Sequence, residues 1–475
     1  MKYTTVIGLE IHAELCTDTK VFCACKNEFG SAPNTNCCPV CTGLPGALPV
    51  LNQKAIEYAI KAGLTMNCTI SEYSVFERKN YFYPDLPKAY QISQLEYPLC
   101  VGGHINIEVN GEKKTIRLNR IHVEEDAGKL IHSEHRGTLI DFNRCSVPLI
   151  EMVTEPDLRS AEEAVALLEK IRQTLVFLGI SDGKMEQGSM RCDVNVSLMP
   201  EGSAEYGTRT EMKNLSSFRS VLAGIKYEVK RQTEILEKGG TISQETRRWS
   251  DDSAKSFTMR TKEDSQDYRY FPDPDLIPIS VSCEYVEKIR KSLPKLPEEL
   301  ISKYVTEFNL PLYDATLIAN ERETAEYFEE CVTLLNSPKD ISNFIMSDIL
   351  RLIKGGNQTL KDIPVSPKML TDLLKMMKEG KINITAAKTV LEEIWKTGEQ
   401  PLVAVNRMGL MQVNDTAEIE KAVSEIISAN PQAVEEFRQG KAKALAFFVG
   451  QVMKATKGKA NPQIVNELVV KQLSN

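Results

Sequence analysis

The hydrophobic pattern of this sequence changes near residue 293, and the change divides the chain into parts with different folds. Before that point, short segments of alternating apolar and polar residues are separated by turn sequences such as Val101-Gly102-Gly103. Only two long helical patterns interrupt them, one starting at Ser160 and ending at Gly179, the other running from about Ser216 to Lys238. Strands mixed with a few helices in this order predict an α+β domain.

The remainder of the chain is predicted to be helical. After the Leu293–Pro297 segment the strand signals fade, and Ser366-Pro367 opens a helical pattern that Gly380 closes. A second shift near residue 405 leads into short amphipathic helices. Because 475 residues exceed what one core usually holds, we predict three domains: an α+β domain over 1–292, a helical domain over 293–405 and a small helical domain over 406–475.

Composition excludes several classes of protein. Apolar residues at 42%, charged residues at 26% and a net charge of -7 are ordinary for a globular chain of this length, so neither disorder nor a wholly basic nucleic-acid coat is indicated. No apolar run approaches the roughly 18 residues of a membrane span, and the start lacks the apolar stretch of a signal peptide. We expect a cytoplasmic protein that does not associate with membranes.

The first predicted strand, Thr5–Leu15, has two distinct faces. Its alternation places apolar side chains on one face and Glu10, His12 and Glu14 on the other. Side chains two residues apart on one face stand about 7 Å apart, so Glu10 and His12 can reach one cation between them. By spacing alone, the solvated face of an edge strand explains the pattern better.

Other polar residues strengthen the case for a cation site. The Ser189–Ser197 segment alternates and places Arg191 and Asp193 on one face. Glu151 stands alone among apolar residues, where an unpaired charge is costly. Carboxylates with one imidazole suit Mg²⁺. A buried ion pair with an arginine is the alternative for Glu151.

Four cysteines have the spacing of a metal site. Cys23 and Cys25 form one close pair, Cys38 and Cys41 form another, and twelve residues separate the pairs. Four thiolates around Zn²⁺ are the natural product, and a site closed by four protein ligands is structural. Cys37 is left over. We expect the scattered remaining cysteines to be thiols.

Two further segments suggest phosphate contacts. The Arg78–Gln91 segment mixes basic and aromatic residues with two prolines and reads as a functional loop or a packed structural one. Residues 440–459 contain lysines but no acid, which favours either an RNA-facing patch or a solvated face. These lysines are Lys441, Lys443, Lys454, Lys457 and Lys459. No P-loop motif is present in the sequence, so any ATP site is of another type.

Together these segments resemble the GatB family, the B subunits of aspartyl/glutamyl-tRNA amidotransferases, over essentially the whole chain. The segments that carry the resemblance are Val6–His12, Pro33–Asn36, Arg78–Asp85, Lys88–Gln94, Glu124–Lys129, Glu155–Asp157, Met190–Asn195, Met212–Leu215, Gln244–Arg248 and Asp267–Pro272. The resemblance implies a catalytic cradle domain similar to glutamine synthetase at its active site, an all-α helical domain and a small tail similar to the YqeY family.

The resemblance also implies an activity. Such an enzyme phosphorylates the side-chain carboxyl of Glu-tRNA(Gln) or Asp-tRNA(Asn) with ATP, and ammonia then displaces the phosphate to give Gln-tRNA or Asn-tRNA. The ammonia comes from an amidase A subunit, braced by a small C subunit in a heterotrimer, and this chain has no amidase signature of its own. The alternatives are a non-catalytic tRNA-binding scaffold and a zinc-dependent hydrolase, and the closed cysteine site counts against the hydrolase.

Site residues follow from the same resemblance. The implied catalytic residues are Glu10, His12, Glu125 and Glu151, and the implied Mg²⁺ ligands are these four together with Asp193. Lys79, Lys88 and Arg191 are expected to contact the phosphates of ATP. Some family members lack the zinc cysteines, so zinc is expected to be structural here and dispensable for the chemistry.

Removing charge from the lysine-rich tail tests whether it faces RNA. Combining Lys441→Ala with Lys457→Ala should weaken binding of tRNA and lower the slope of log affinity against log salt by about 2, because two phosphate contacts are lost. The measurement is tRNA binding over a series of salt concentrations. Equal binding of variant and wild type at every salt concentration would indicate that this segment is a solvated face.

Overall fold

The computed structural model describes residues 2–133, 135–261, 267–356, 360, 362–412, 416–438, 442–456, 460 and 462–473. The chain forms two compact units, residues 1–294 and residues 295–475. Strands and helices are mixed in the first unit, and helices form the second, which confirms the predicted α+β class. The predicted division of the helical part near residue 405 stays a prediction.

The first unit is built on one large sheet. Its strands, in spatial order, are β15 (Lys255–Thr261), β14 (Glu245–Ser250), β13 (Thr210–Lys213), β12 (Met190–Pro200), β1 (Tyr3–Glu14), β11 (Pro148–Thr154), β8 (Glu112–Glu125), β6 (Cys100–Val101) and β2 (Thr69–Ile70), with β7 (His104–Val109) also paired to β8. All pairs are antiparallel except β13 with β14.

Strand β1 lies inside this sheet, hydrogen-bonded to β12 on one side and to β11 on the other. The edge-strand interpretation is therefore wrong. The alternation explains the position: Ile7, Leu9 and Ile11 are 0%, 1% and 0% exposed. Glu10 and His12 point to the opposite face.

Helices cover the apolar side of the sheet. α2 (Ala161–Phe177) packs on β7 and on α3 (Phe218–Glu237), which in turn packs on β12. Ser160 caps α2 by accepting a hydrogen bond from the backbone N–H of Glu163 at 3.1 Å. Gly179 follows the helix with a φ of +68° that favours glycine. Helices α1 (Gln53–Thr65) and α4 (Cys283–Ser292) pack together in the same unit.

Small sheets flank the large one. They pair β4 (Glu77–Asn80) with β5 (Tyr90–Ser93) and β16 (Phe271–Pro272), β9 (Lys129–Ser133) with β10 (Gly137–Asp141), and β3 (Tyr73–Ser74) with β17 (Ile279–Ser280). The β4–β5 pair carries the predicted loop residue Lys79. The large sheet and this small one together frame the site described below.

The second unit contains the helices α5 (Pro297–Thr306), α6 (Leu312–Asn320), α7 (Arg322–Leu334), α8 (Pro338–Phe344), α9 (Leu350–Gly356), α10 (Pro367–Lys378), α11 (Ile384–Thr397), α12 (Pro401–Arg407), α13 (Thr416–Ala429), α14 (Pro431–Arg438), α15 (Ala442–Ala455) and α16 (Pro462–Leu473). The last four share a core that includes Val423, Phe448, Val452 and Val465. No helix in the part of the chain that the structure describes is long and apolar enough to span a bilayer.

Truncating the apolar face of β1 should destabilise the first unit. Leu9→Ala should lower its free energy of unfolding by about 3 kcal/mol, because a cavity opens beneath a central strand. Val101→Ala, at a position 47% exposed, is the control and should cost less than about 0.5 kcal/mol. In a Trp395→Phe background, the fluorescence of Trp249 reports urea unfolding of this unit alone. Equal urea midpoints for the two variants would contradict the burial of this face.

Candidate functional site

A polar cavity of about 500 Å³ opens over the polar faces of β1, β11, β12 and β13. Of the side chains predicted from sequence, it is lined by Glu10, His12, Lys79, Glu151 and Asp193. Further lining residues include His122, Arg209, Glu211, Lys213, Tyr268 and Tyr270. The sheet thus brings residues from distant parts of the sequence to one place.

His12, Glu124 and Glu151 form the first acidic cluster. The Nε2 atom of His12 lies 3.4 Å from Oε2 of Glu151 and 3.7 Å from Oε1 of Glu124. Strand register explains this proximity, because His12 lies opposite Glu151 in the β1–β11 pair. One ligand atom from each of the three residues lies within 4.8 Å of the others, so the three side chains can reach one cation.

His122 adds a second imidazole to this cluster, and the sequence interpretation missed it. It lies opposite Glu151 in the β11–β8 pair, and its Nε2 atom is 3.4 Å from Oε2 of Glu151 and 3.7 Å from Oε2 of Glu124. Its side chain is only 3% exposed. The alternation of His122 and Glu124 on one face of β8 was the available signal.

The charged groups of this cluster shift each other's pKa values. Burial alone would raise the pKa of Glu151, but hydrogen bonds from His12 and His122 outweigh burial and hold that pKa well below its usual range. Burial alone would lower the pKa of His122, yet hydrogen bonds to Glu124 and Glu151 raise it to about 9. The same two carboxylates raise the pKa of His12 against burial. The cluster therefore attracts positive charge.

A second acidic cluster contains Glu10, Asp193 and Glu211, again with ligand atoms within 4.8 Å of one another. Glu10 lies opposite Asp193 in the β1–β12 pair, and the Nδ2 atom of Asn195 donates to Glu10 at 3.0 Å. The ammonium of Lys213 pairs with Asp193 and lies 3.0 Å from Oε1 of Glu211. This cluster thus already holds a cation of the protein's own, and Glu211 and Lys213 were not predicted.

Lys79 approaches the cavity between aromatic rings. Its Nζ atom lies 5.0 Å from the ring centre of Tyr268 and 6.0 Å from that of Tyr81. Burial alone would lower the pKa of Lys79, but the charges of Glu124 and Glu151 raise it. Lys79 is therefore a charged group directed at the first acidic cluster.

Glu125 is not brought to this cavity. Its carboxylate is 2% exposed and pairs with the ammonium of Lys88. It also accepts a hydrogen bond from the backbone N–H of Ile92 at 2.9 Å and one from Oγ of Ser146 at 2.5 Å. Because neighbouring residues of a strand face opposite sides, Glu124 enters the first acidic cluster and Glu125 turns away with Lys88.

Arg191 is likewise held by an acid outside the lining. Its Nη2 atom donates to Oδ2 of Asp126 at 2.8 Å. Glu14 adjoins this pair, and burial together with the charge of Asp126 raises the pKa of Glu14 to about 8. Arg191 therefore compensates the charge of Asp126 beside the end of β1.

The four predicted zinc cysteines converge. The sulfur atoms of Cys23, Cys25, Cys38 and Cys41 all lie within 4.8 Å of one another. Tetrahedral Zn²⁺ with sulfur at about 2.3 Å sets its ligands about 3.8 Å apart, so this set fits the ion. A hydrogen bond from Cys23 lowers the pKa of Cys41 to about 4. Cys37 instead donates to the carbonyl of Asn34 at 3.3 Å.

The predicted RNA-facing lysines are only partly described. Lys443 belongs to α15, and Lys454 in the last turn of that helix is exposed. Lys441, Lys457 and Lys459 lie outside the described residues. The RNA-facing patch stays a prediction.

A second cavity of about 450 Å³ adjoins the first and shares Glu10, Val153, Asn195, Arg209 and Gln244 with it. Its other lining residues are mostly apolar or neutral and include Val6, Gly8, Leu9, Thr154, Pro156 and Tyr206. The backbone N–H of Leu9 donates to Oγ1 of Thr154 at 2.9 Å, which ties β1 to the wall of this cavity. Two cavities that share a wall can hold the reacting ends of two substrates side by side.

Comparison with known proteins gives two family matches. Residues 5–287 match the GatB/GatE catalytic domain, and residues 326–473 match the GatB domain. The chain is 54% identical to the B subunit of the aspartyl/glutamyl-tRNA(Asn/Gln) amidotransferase of Caldicellulosiruptor bescii, covering 100% of this chain and 99% of that protein. The proteins of the same name from Thermoanaerobacter pseudethanolicus and Geotalea uraniireducens are each 52% identical, with both chains covered fully.

The thiol geometry predicts which cysteines matter for zinc. Cys41→Ser should abolish binding of stoichiometric zinc, whereas Cys37→Ser should retain one zinc per chain, because Cys37 lies outside the set of four. Metal content of the purified variants measures this. Equal zinc in both variants, or none in wild type, would contradict a four-cysteine zinc site.

Proposed function

The chain belongs to the family of aspartyl/glutamyl-tRNA(Asn/Gln) amidotransferase B subunits, and on that premise we propose that its cavity carries out the ATP-dependent amidation step. The substrates are Glu-tRNA(Gln), Asp-tRNA(Asn) or both. The observation that carries the proposal is that His12 and Glu151 of the first acidic cluster line the same polar cavity as all three acids of the second.

The proposed reaction has two steps. An oxygen of the side-chain carboxylate attacks the γ-phosphorus of ATP, the bond to the β–γ bridging oxygen breaks, and ADP leaves. Ammonia then attacks the carbonyl carbon of the acyl phosphate, inorganic phosphate leaves, and the nitrogen loses a proton. The product is the amide, as Gln-tRNA(Gln) or Asn-tRNA(Asn).

The first acidic cluster suits a hard divalent cation. Its donor set of two carboxylates and an imidazole is one that Mg²⁺ accepts, and buried carboxylates need a compensating positive charge. When bound, Mg²⁺ would neutralise charge on the transferred phosphoryl group and hold its oxygens in place. We assign this role to His12, Glu124 and Glu151, with Glu124 in the place that the resemblance gave to Glu125.

The second acidic cluster has a different part in the proposal. Because Lys213 already compensates Asp193 and Glu211, these residues hold an ammonium at the lining of the first cavity. The lysine and arginine side chains that line the first cavity are Lys79, Arg120, Arg209 and Lys213. They can meet phosphate oxygens there. Lys88 and Arg191 do not line this cavity and instead pair with Glu125 and Asp126.

The two adjoining cavities suit two substrates. The phosphates of ATP suit the first cavity, which contains both the cationic side chains and the proposed cation site. An acceptor carboxyl can meet the γ-phosphate at Glu10 and Asn195, because these residues line both cavities. Holding the two reacting groups side by side raises the reaction rate. Phosphoryl transfer depends mainly on such positioning, because it requires little covalent chemistry from the protein.

The proposal includes partners and a location. Ammonia is supplied by an amidase A subunit, a small C subunit completes the heterotrimer, and the tail helices bind the misacylated tRNA in the cytoplasm. Zinc, held by the four cysteines, is structural. A scaffold that only binds tRNA is the competing function, and it predicts no ATP hydrolysis stimulated by misacylated tRNA.

Neutralising the acids of the first cluster tests the proposal. Glu124→Gln and Glu151→Gln should each lower the rate of ATP-dependent amide formation by at least about 100-fold, because the cation loses a charged ligand. Glu108→Gln, on an exposed position of β7, is the matched control and should keep wild-type rates. The assay mixes the purified subunits, ATP, glutamine and misacylated tRNA and identifies the amino acid released from the tRNA. Wild-type rates in both variants, with tRNA bound normally, would contradict the proposal and favour the scaffold function.

A further inference from the structure

The loop that contains the second cysteine pair packs directly against Lys88. We call residues 38–46 the Cys38 loop. Gly43 in this loop has a φ of +69°, and a Cβ atom added there would lie 2.4 Å from Cγ and 3.2 Å from Cα of Lys88. No side chain fits between the loop and Lys88 unless Lys88 moves.

Lys88 in turn holds Glu125. Its ammonium pairs with that carboxylate, and both side chains are nearly buried, at 10% and 2% exposure. The same ammonium lies 6.0 Å from the ring centre of Phe22, the residue before the first cysteine of the cluster. Movement of Lys88 therefore breaks a buried ion pair, which leaves Glu125 with an uncompensated charge.

A second path runs from the cysteine cluster to the same carboxylate. The backbone N–H of Val21, two residues before Cys23, donates to the carbonyl of Ser146 at 2.9 Å. The Oγ atom of Ser146 donates to Glu125 at 2.5 Å. Lys88 and Ser146, the two side chains that donate to the Glu125 carboxylate, are thus in contact with segments that carry or flank the cysteine pairs.

Glu125 and the neighbouring cluster residue are fixed together by β5. The backbone N–H of Ile92 donates to the Glu125 carboxylate at 2.9 Å, and the side chain of Gln91 donates to the Glu125 carbonyl at 2.7 Å. The next residue of β5, Ser93, donates to Oε2 of Glu124 at 3.2 Å. A shift of Glu125 against β5 therefore alters the placement of the Glu124 carboxylate in the first acidic cluster.

We propose that the Cys38 loop positions Glu124 through Gly43, Lys88 and Glu125, and so sets the affinity of the cavity for its divalent cation. Gly43 and Ser146 are positioning residues, since neither lines the cavity or belongs to the acidic clusters. The inference rests on the proposed function, because it assigns Glu124 to the cation. Through this path the cysteine cluster influences cation binding in the cavity, in addition to stabilising the fold.

Two glycines of the same loop make a matched pair for the test. Gly43 and Gly46 both have positive φ, at +69° and +86°, so alanine is strained at either position. A Cβ atom at Gly46 meets nothing within 4 Å, whereas one at Gly43 meets Lys88. The difference between Gly43→Ala and Gly46→Ala isolates the contact with Lys88.

The readout is binding of Mn²⁺ to the complete complex, followed by electron paramagnetic resonance, together with the Mg²⁺ dependence of amide formation. Gly43→Ala should weaken Mn²⁺ binding about tenfold and raise the Mg²⁺ needed for half-maximal rate by a similar factor. Gly46→Ala should leave both unchanged, and all variants should keep the same zinc content. Ser146→Ala, which removes a hydrogen bond without adding bulk, should shift both readouts in the same direction and serves if Gly43→Ala does not fold.

The outcomes separate this inference from the proposed function. Identical Mn²⁺ affinities in wild type, Gly43→Ala and Ser146→Ala would overturn the inference even in an active enzyme. A wild-type complex that binds Mn²⁺ with the expected dependence on Gly43 but forms no amide would overturn the proposed function and leave the positioning intact. The contact itself is tested by thermal melting: Lys88→Ala removes Cγ, which is the nearest atom, so the lower melting temperature of Gly43→Ala relative to Gly46→Ala should shrink in that background. An undiminished difference there would contradict the contact.

Discussion

The arrangement of the cavity depends on β1 being a central strand with one apolar and one acidic face. Burial of Ile7, Leu9 and Ile11 fixes which way the strand faces, and a shift of one residue would turn Glu10 and His12 into the core. Hydrogen bonding on both sides then fixes the neighbours of those side chains, because His12 lies opposite Glu151 and Glu10 lies opposite Asp193. The hydrophobic burial of one face thus sets the geometry of the charges on the other.

The two acidic clusters differ in how their charge is compensated. Asp193 and Glu211 pair with Lys213, whose own pKa is raised because those two carboxylates outweigh the effect of burial. Glu124 and Glu151 instead face the imidazoles of His12 and His122, whose positive charge depends on pH. A divalent cation near Glu124 and Glu151 would displace imidazole protons, which makes the first cluster the more suitable cation site.

Much of this site was predictable from the alternation of residues along strands. Period two placed Glu10 and His12 on one face of β1, although the structure assigns them to different clusters. The lone acid among apolar residues predicted a partner for Glu151, and that partner is a pair of imidazoles and not an arginine. The choice between Glu124 and Glu125 was beyond the sequence, since a run of acids in a strand alternates faces and only the pairing of β8 with β11 decides which face meets the cavity. Alternation places His122 with Glu124 on one face of β8, but it does not show that β8 pairs with β11 or that the strand of Glu211 pairs with β12, and both residues were missed for that reason. The α+β class and the convergence of the four cysteines needed only local patterns and spacing.

The central claim, that His12, Glu124 and Glu151 hold a divalent cation, is tested most directly by diffraction. Crystals of the complex grown with Mn²⁺ and a non-hydrolysable ATP analogue would be measured at a wavelength where manganese scatters anomalously. The account predicts an anomalous peak within about 2.3 Å of a carboxylate oxygen of Glu124 and of Glu151, with the His12 imidazole at a similar distance. An anomalous peak bound instead to Glu125, or no peak between these three side chains while nucleotide is bound, would contradict it.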